Sequence, residues 1–80
     1  MEDKEIYVLT FIYGGIIEKH ILTRSEDRVR QEIMDFALDN NFKISGQAQK
    51  KGVYAMVDYI KSNNGMCSHE IHLDAGEVED

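Results

Sequence analysis

One segment with a clear helical period, from Ser25 to Asn41, lies between two regions rich in β-forming residues. Its apolar residues recur at helical spacing and form a compact stripe, which a flank then widens. The stripe consists of Val29, Ile33, Phe36 and Ala37, and the flank of Met34 and Leu38. Ser25 is a suitable N-cap, and Asn40-Asn41 tolerates the left-handed conformation in which helices often end. This amphipathic helix therefore needs an apolar surface to pack on, and the segments before and after it in the sequence must supply that surface.

A β-hairpin is predicted before the helix. Residues 4–13 (KEIYVLTFIY) and 16–23 (IIEKHILT) are rich in β-branched and aromatic residues, and Gly14-Gly15 suits a two-residue turn. A regular hairpin with this turn pairs Tyr13 with Ile16, Phe11 with Glu18, Leu9 with His20 and Tyr7 with Leu22. One face is then aromatic, and the other carries Ile6, Val8, Ile12, Ile17 and Ile21. We expect the aliphatic face to form the core under the helix and the aromatic face to need another cover.

The C-terminal half is predicted to add three strands. Phe42–Gln49 alternates apolar and polar residues, and Met66–Asp74 follows the turn signal Asn64-Gly65. Val53–Lys61 also has helical spacing, but its β-branched and tyrosine content, and two lysines just before it, favour a strand. Residues 75–80 are expected to be a frayed acidic tail. The sequence thus predicts a single α+β domain over residues 1–80, an antiparallel sheet with one helix on one face in the order ββαβββ, or alternatively ββαβαβ.

Charge and composition limit the classes of partner. The formal net charge is −6 and the pI about 4.9, whereas nucleic-acid binding depends largely on lysine and arginine. An acidic surface instead suits a basic protein partner. The sequence has one cysteine, no apolar run of membrane-spanning length, and no basic N-terminal region typical of a signal peptide. We therefore expect a cytoplasmic protein that binds neither membrane nor nucleic acid.

Few residues suggest chemistry. Cys67 and His69 lie two apart and would share a strand face, which makes them weak candidates for a metal-binding or thiol-dependent site. His72 would point to the opposite face, and the spacing matches no standard zinc motif. Gly14-Gly15 lies between two strands, not between a strand and a helix as a phosphate-binding loop would. We expect no catalytic activity and no cofactor.

The surplus of apolar and acidic surface predicts a non-catalytic protein-binding module. The expected binding residues are Tyr7, Phe11, Tyr13, Met34 and Leu38 on the apolar surfaces, and Glu32, Asp35 and Asp39 on the helix. A homodimer through the aromatic face or the helix is expected. The overall character is that of a small acidic inhibitor or regulator, of the kind encoded by phages or mobile elements, that engages a basic or nucleic-acid-binding protein. The alternative is a small metal- or thiol-dependent protein that uses Cys67 and His69.

Overall fold

Three strands and three helices make up residues 5–77, the part of the chain that the computed structural model describes; side chains are described for residues 6–76. The elements are β1 (Glu5–Tyr13), β2 (Ile16–Thr23), α1 (Glu26–Asp39), α2 (Gly46–Lys51), α3 (Val53–Asn63) and β3 (His69–Glu77). The strands form an antiparallel sheet in the order β2-β1-β3. The α+β class is confirmed, but the order is ββαααβ, so both predicted orders were wrong.

The hairpin turn forms where the two glycines predict it, but the register of the strands differs. Gly14 and Gly15 have φ values of 60° and 82°, and Tyr13 pairs with Ile16 as predicted. A β-bulge then leaves Glu18 as an extra residue on β2. The later pairs are Phe11 with Lys19, Leu9 with Ile21 and Tyr7 with Thr23, each one residue beyond the predicted partner.

The core lies on the aromatic face of the sheet, so the prediction of an aliphatic core face was wrong. Leu9 and Phe11 are buried under α1 and α3, together with Ile71 of β3. Within the predicted aliphatic set only Ile21 is buried, because the bulge moves it to the same face as Leu9. The pairing of β3 with β1 also places Ile71 and Leu73 beside Phe11 and Leu9, which extends this face. Helices cover the aromatic face, and the aliphatic face has none of the three over it.

Helix α1 forms as its sequence predicts. The Ser25 hydroxyl accepts a hydrogen bond from the Arg28 backbone N–H at 3.1 Å, which caps the helix. Val29, Ile33 and Ala37 are buried in the core, whereas the fourth predicted core residue, Phe36, is half-buried. Asn41 takes the left-handed conformation with φ 57°.

Two segments predicted to be strands do not form strands. Residues 42–45 are a loop, residues 46–49 belong to α2, and residues 53–61 belong to α3. Ser45 caps α2, and Gly52, with φ 126°, separates α2 from α3. Lys50 and Lys51 therefore lie in the last turn of α2, where the helix dipole favours cations, and not in the first turn of α3. The helical spacing in α3 was the correct signal, since its buried residues are Val53, Met56, Val57 and Ile60.

The last strand begins three residues later than predicted. Cys67 has a positive φ of 54° in a turn that ends where β3 starts at His69. Residues 75–77, predicted to be part of a frayed tail, pair with the first residues of β1, and residues 78–80 lie outside the described residues. Within residues 5–77, no helix is both long and apolar enough to cross a bilayer.

Candidate functional site

A cleft of about 300 Å³ lies between β2 and the C-terminal half of α1. Its lining residues are Phe11, Glu18, Lys19, Glu32, Asp35, Phe36, Asp39 and Asn40. Four of these are carboxylates and two are phenylalanines, so the cleft combines an acidic rim with an aromatic floor. The two remaining lining residues are Lys19 and Asn40, and of these only the Lys19 amine can act as a nucleophile.

The acidic side of the cleft follows directly from helical spacing. Glu32, Asp35, Phe36 and Asp39 stand at positions i, i+3, i+4 and i+7, so they lie along one side of α1. This stripe adjoins the core stripe, and the two share the edge of the helix at Phe36. The three predicted acidic residues of the helix, Glu32, Asp35 and Asp39, are therefore brought together in one cleft.

The β2 side of the cleft depends on the bulge. Because Glu18 is the extra residue of the strand, both it and the following Lys19 line the cleft on the helix side of the sheet. In a regular strand two successive side chains point to opposite faces. Sequence reasoning missed Glu18, Lys19 and Asn40 as lining residues and assigned Phe36 to the core alone. The bulge has no clear sequence signal here.

The floor of the cleft is the rim of the hydrophobic core. Phe36 stacks on Phe11 with ring centroids 4.5 Å apart, and it also contacts the rings of Phe42 and His69 at 5.6 Å and 5.9 Å. Phe11 is only 4% exposed, so the half-buried Phe36 supplies most of the accessible aromatic surface. The aromatic contacts hold Phe36 in place without a ligand.

One of the four carboxylates is neutralised within the protein. Glu32 accepts a hydrogen bond from the Lys19 ammonium at 2.8 Å and another from Arg28 Nε at 3.4 Å. The Lys19 hydrogen bond, reinforced by the charges of Lys19 and Arg28, holds the pKa of Glu32 below its ordinary value despite the opposing effect of burial. Glu32 thus orients Lys19 and is not available as a charge for a ligand.

None of the other three carboxylates pairs with a cation among the side chains that the structure describes. Asp35 accepts a hydrogen bond from the neutral Gln31 amide at 3.0 Å. Glu18 and Asp39 likewise form no ion pair with the side chains of residues 6–76. The cleft therefore has three uncompensated carboxylates, Glu18, Asp35 and Asp39, around one half-buried aromatic ring.

The apolar residues predicted to bind a partner are dispersed. Phe11 is buried in the core, while Tyr7 and Met34 are partly buried against it. Tyr13 is 50% exposed and packs on His69, with ring centroids 4.5 Å apart. Leu38 is 77% exposed on the outer side of α1. The aromatic face of the hairpin is covered by the chain's own helices, so it does not form a continuous surface for a partner.

The alternative pair, Cys67 and His69, does not line the cleft. Cys67 is exposed in its turn, and His69 packs among the rings of Tyr13, Phe36 and Phe42. Within the described part of the chain, no three His, Cys, Asp or Glu side chains are grouped to hold a metal ion.

The fold and cleft define a small α+β domain with an acidic, aromatic-floored groove. Comparisons with protein-family models, curated proteins and solved structures found no match.

Proposed function

We propose that this protein is a non-catalytic binding module whose cleft receives a lysine or arginine side chain from a basic segment of a partner protein. The carrying observation is the juxtaposition of three uncompensated carboxylates with the half-buried ring of Phe36. A guanidinium can stack on an aromatic ring and donate hydrogen bonds to carboxylates at once, so arginine suits this combination better than lysine.

The size of the cleft supports a side chain as the ligand. Sites for whole small molecules typically enclose about 300–1,000 Å³, so this cleft is at the lower limit of that range. Its position at the edge of the sheet leaves it open to a chain lying across it. The net charge of −6 would draw a basic partner towards the protein and raise the association rate at low salt.

Basic grooves that bind nucleic acid present rows of such side chains. A protein of this kind would act as an inhibitor or regulator by occupying such a groove in place of the nucleic-acid phosphates. The module has no catalytic step in this proposal, because binding alone excludes the competing ligand.

The test uses a fluorescently labelled peptide of alternating arginine and serine, with a glutamate–serine peptide as the negative probe. Binding is measured by fluorescence anisotropy in about 50 mM and about 300 mM NaCl, which shortens the Debye screening length from about 14 Å to about 6 Å. We expect saturable binding of the arginine peptide that weakens with salt, and none of the glutamate peptide.

Matched variants separate local from overall charge. Asp35→Asn with Asp39→Asn should weaken binding at least about tenfold, since two charge-assisted contacts are lost. Asp58→Asn with Asp74→Asn removes the same charge outside the cleft and should weaken it less than about threefold. Glu32→Gln should also weaken binding, because it leaves the ammonium of Lys19, which lines the cleft, without its carboxylate partner. Equal losses in the two double variants, or equal binding of the two peptides, would contradict the proposal.

A further inference from the structure

The charged groups of the cleft are separated along its length. Helix α1 begins just after β2 ends and runs back along it, so that Lys19 in the middle of β2 contacts Glu32 in the middle of α1. Glu18 precedes Lys19 on β2 and therefore lies towards the C-terminal end of α1, where Asp35 and Asp39 also line the cleft. The cleft thus has one end at Glu32 and another formed by the three carboxylates without a cation.

The end of the cleft at Glu32 carries a net positive charge. Lys19 and Arg28 both contact the single carboxylate of Glu32, at 2.8 Å and 3.4 Å. Both cations are more than half exposed, whereas the side chain of Glu32 is only 15% exposed. Among the described residues, Lys19 and Arg28 each donate one side-chain hydrogen bond, so most of their N–H groups remain available to an anionic group of a ligand.

The opposite end of the cleft is negative. Besides its three carboxylates, it has the C-terminal end of α1, whose last turn contains no basic residue. The negative end of the helix dipole therefore adds to the field of Asp35 and Asp39. The ring of Phe36 lies between the two ends, since Phe36 is four residues after Glu32 and three before Asp39.

We infer that the cleft recognises an arginine that has an acidic residue two positions away in the partner's chain. The inference rests on the proposed function, because the arginine occupies the site assigned to it there. Its guanidinium stacks on Phe36 and pairs with Asp35 and Asp39, while the neighbouring carboxylate accepts hydrogen bonds from Lys19 and Arg28. A basic residue at the same position is repelled by Lys19, so the cleft discriminates between basic segments by their charge pattern.

The spacing of two residues follows from the geometry of the helix. Glu32 is three residues before Asp35 and seven before Asp39, which places the two carboxylates about 4.5 Å and 10.5 Å further along the axis of α1. In an extended chain, residues i and i+2 point to the same side and are about 7 Å apart. One extended segment can therefore place an arginine and an acidic side chain at the two ends of the cleft.

The test compares three labelled peptides of equal length and arginine content by fluorescence anisotropy in about 50 mM NaCl. The first repeats Arg-Ser-Glu-Ser, and the second repeats Arg-Ser-Ser-Ser. The third repeats Arg-Glu-Ser-Ser, which places glutamate and arginine on opposite sides of an extended chain. We expect the first peptide to bind at least about threefold more tightly than either of the others. Net charge alone predicts that the second binds most tightly, because the protein carries a charge of −6.

Variants assign the preference to the positive end of the cleft. Lys19→Gln should reduce the ratio of the first two affinities to about one, because the peptide carboxylate loses its ammonium partner. Arg28→Gln should reduce the ratio in part. Lys61→Gln removes the same charge from an exposed position on α3 outside the cleft and should leave the ratio unchanged. All three residues are exposed, and far-UV circular dichroism checks that the variants are folded.

The outcomes separate this inference from the proposed function. Equal binding of the first two peptides, or tighter binding of the second, overturns the inference, whereas the proposed function stands if Asp35→Asn with Asp39→Asn still weakens binding. Equal binding of the first and third peptides overturns the spacing of two residues. A preference that survives equally in Lys19→Gln and Lys61→Gln overturns the assignment to Lys19. Absence of binding by the alternating arginine–serine peptide overturns the proposed function and this inference with it.

Discussion

The ring of Phe11 on β1 stacks on the ring of Phe36 on α1, with centroids 4.5 Å apart and an interplanar angle of 26°. Phe11 belongs to the buried core and Phe36 forms the accessible floor of the cleft. The stack therefore joins the part of the molecule that gives stability to the part that we propose binds a partner. A change at Phe36 should affect both.

Phe36→Ala should lower the free energy of unfolding by about 2–4 kcal/mol, because Phe36 is half-buried and loses contacts with three aromatic rings. Leu38→Ala, two residues further along α1 and largely exposed, should cost less than about 0.5 kcal/mol. Urea unfolding followed by far-UV circular dichroism gives both values. Equal losses would show that Phe36 does not pack as described.

Glu32→Gln should make stability less dependent on pH. Since the pKa of folded Glu32 is lowered below its unfolded value, its ionised form stabilises the fold above the unfolded pKa of about 4.3, and this stabilisation disappears as pH falls through the folded pKa. At pH 7 we expect a loss of about 0.5–1 kcal/mol, limited because Lys19 and Arg28 are more than half exposed.

The measurement is a series of urea unfolding curves from about pH 7 to about pH 3, where surface ion pairs of this strength are lost. The difference between Glu32→Gln and the unmodified protein should shrink towards zero at the acidic end. Asp58→Asn, on the exposed side of α3, serves as the control and should show a smaller difference at pH 7. A constant offset across the series would mean that Glu32 acts by packing and not by its charge.

Features that depend on neighbours in sequence could be predicted, and features that depend on distant pairing could not. Ser25, the Gly14-Gly15 turn and the α1 stripes are local, so their spacing is enough to place them. The bulge at Glu18 arises from how β2 fits β1 and the helices, and one extra residue reverses which face Ile21 occupies. That single shift is the reason why the predicted core face was wrong.

One side of the cleft could likewise be predicted from the sequence, and the other side could not. Its helical side, with Glu32, Asp35 and Asp39, follows from a 3.6-residue period and was predicted as a binding surface. Its strand side, with Glu18 and Lys19, exists only because of the bulge. The break between α2 and α3 was also missed, since Gly52 can equally well stand in a hairpin turn, and only its backbone conformation distinguishes the two cases.

Gly52→Ala should destabilise the protein by about 1–3 kcal/mol. Gly52 has φ 126° and ψ −178°, a region that residues with a Cβ adopt only under strain, although the space around it is open. Gly46→Ala offers the opposite case, because Gly46 begins α2 without a positive φ and its Cβ would meet nothing within 4 Å. This variant should gain about 0.4–1 kcal/mol. Urea midpoints that move in the same direction would contradict the prediction.

Deletion of Glu18 tests the register directly. Because Glu18 is unpaired, its removal leaves Ile17 opposite Ile12 and Lys19 opposite Phe11, so every β2 side chain keeps its face. We expect a loss of only about 1–2 kcal/mol, from altered strand twist at the former bulge. In a regular hairpin, where Ile21 would pair with Val8, the same deletion would move every β2 residue from Lys19 onward to the opposite face of the sheet, at a cost of several kcal/mol. Deletion of Thr10, in the unbulged central strand, is the control and should prevent folding. A folded deletion variant that retains the near-native urea midpoint, with loss of fold in the control, would establish the bulge, and unfolding of both would contradict it.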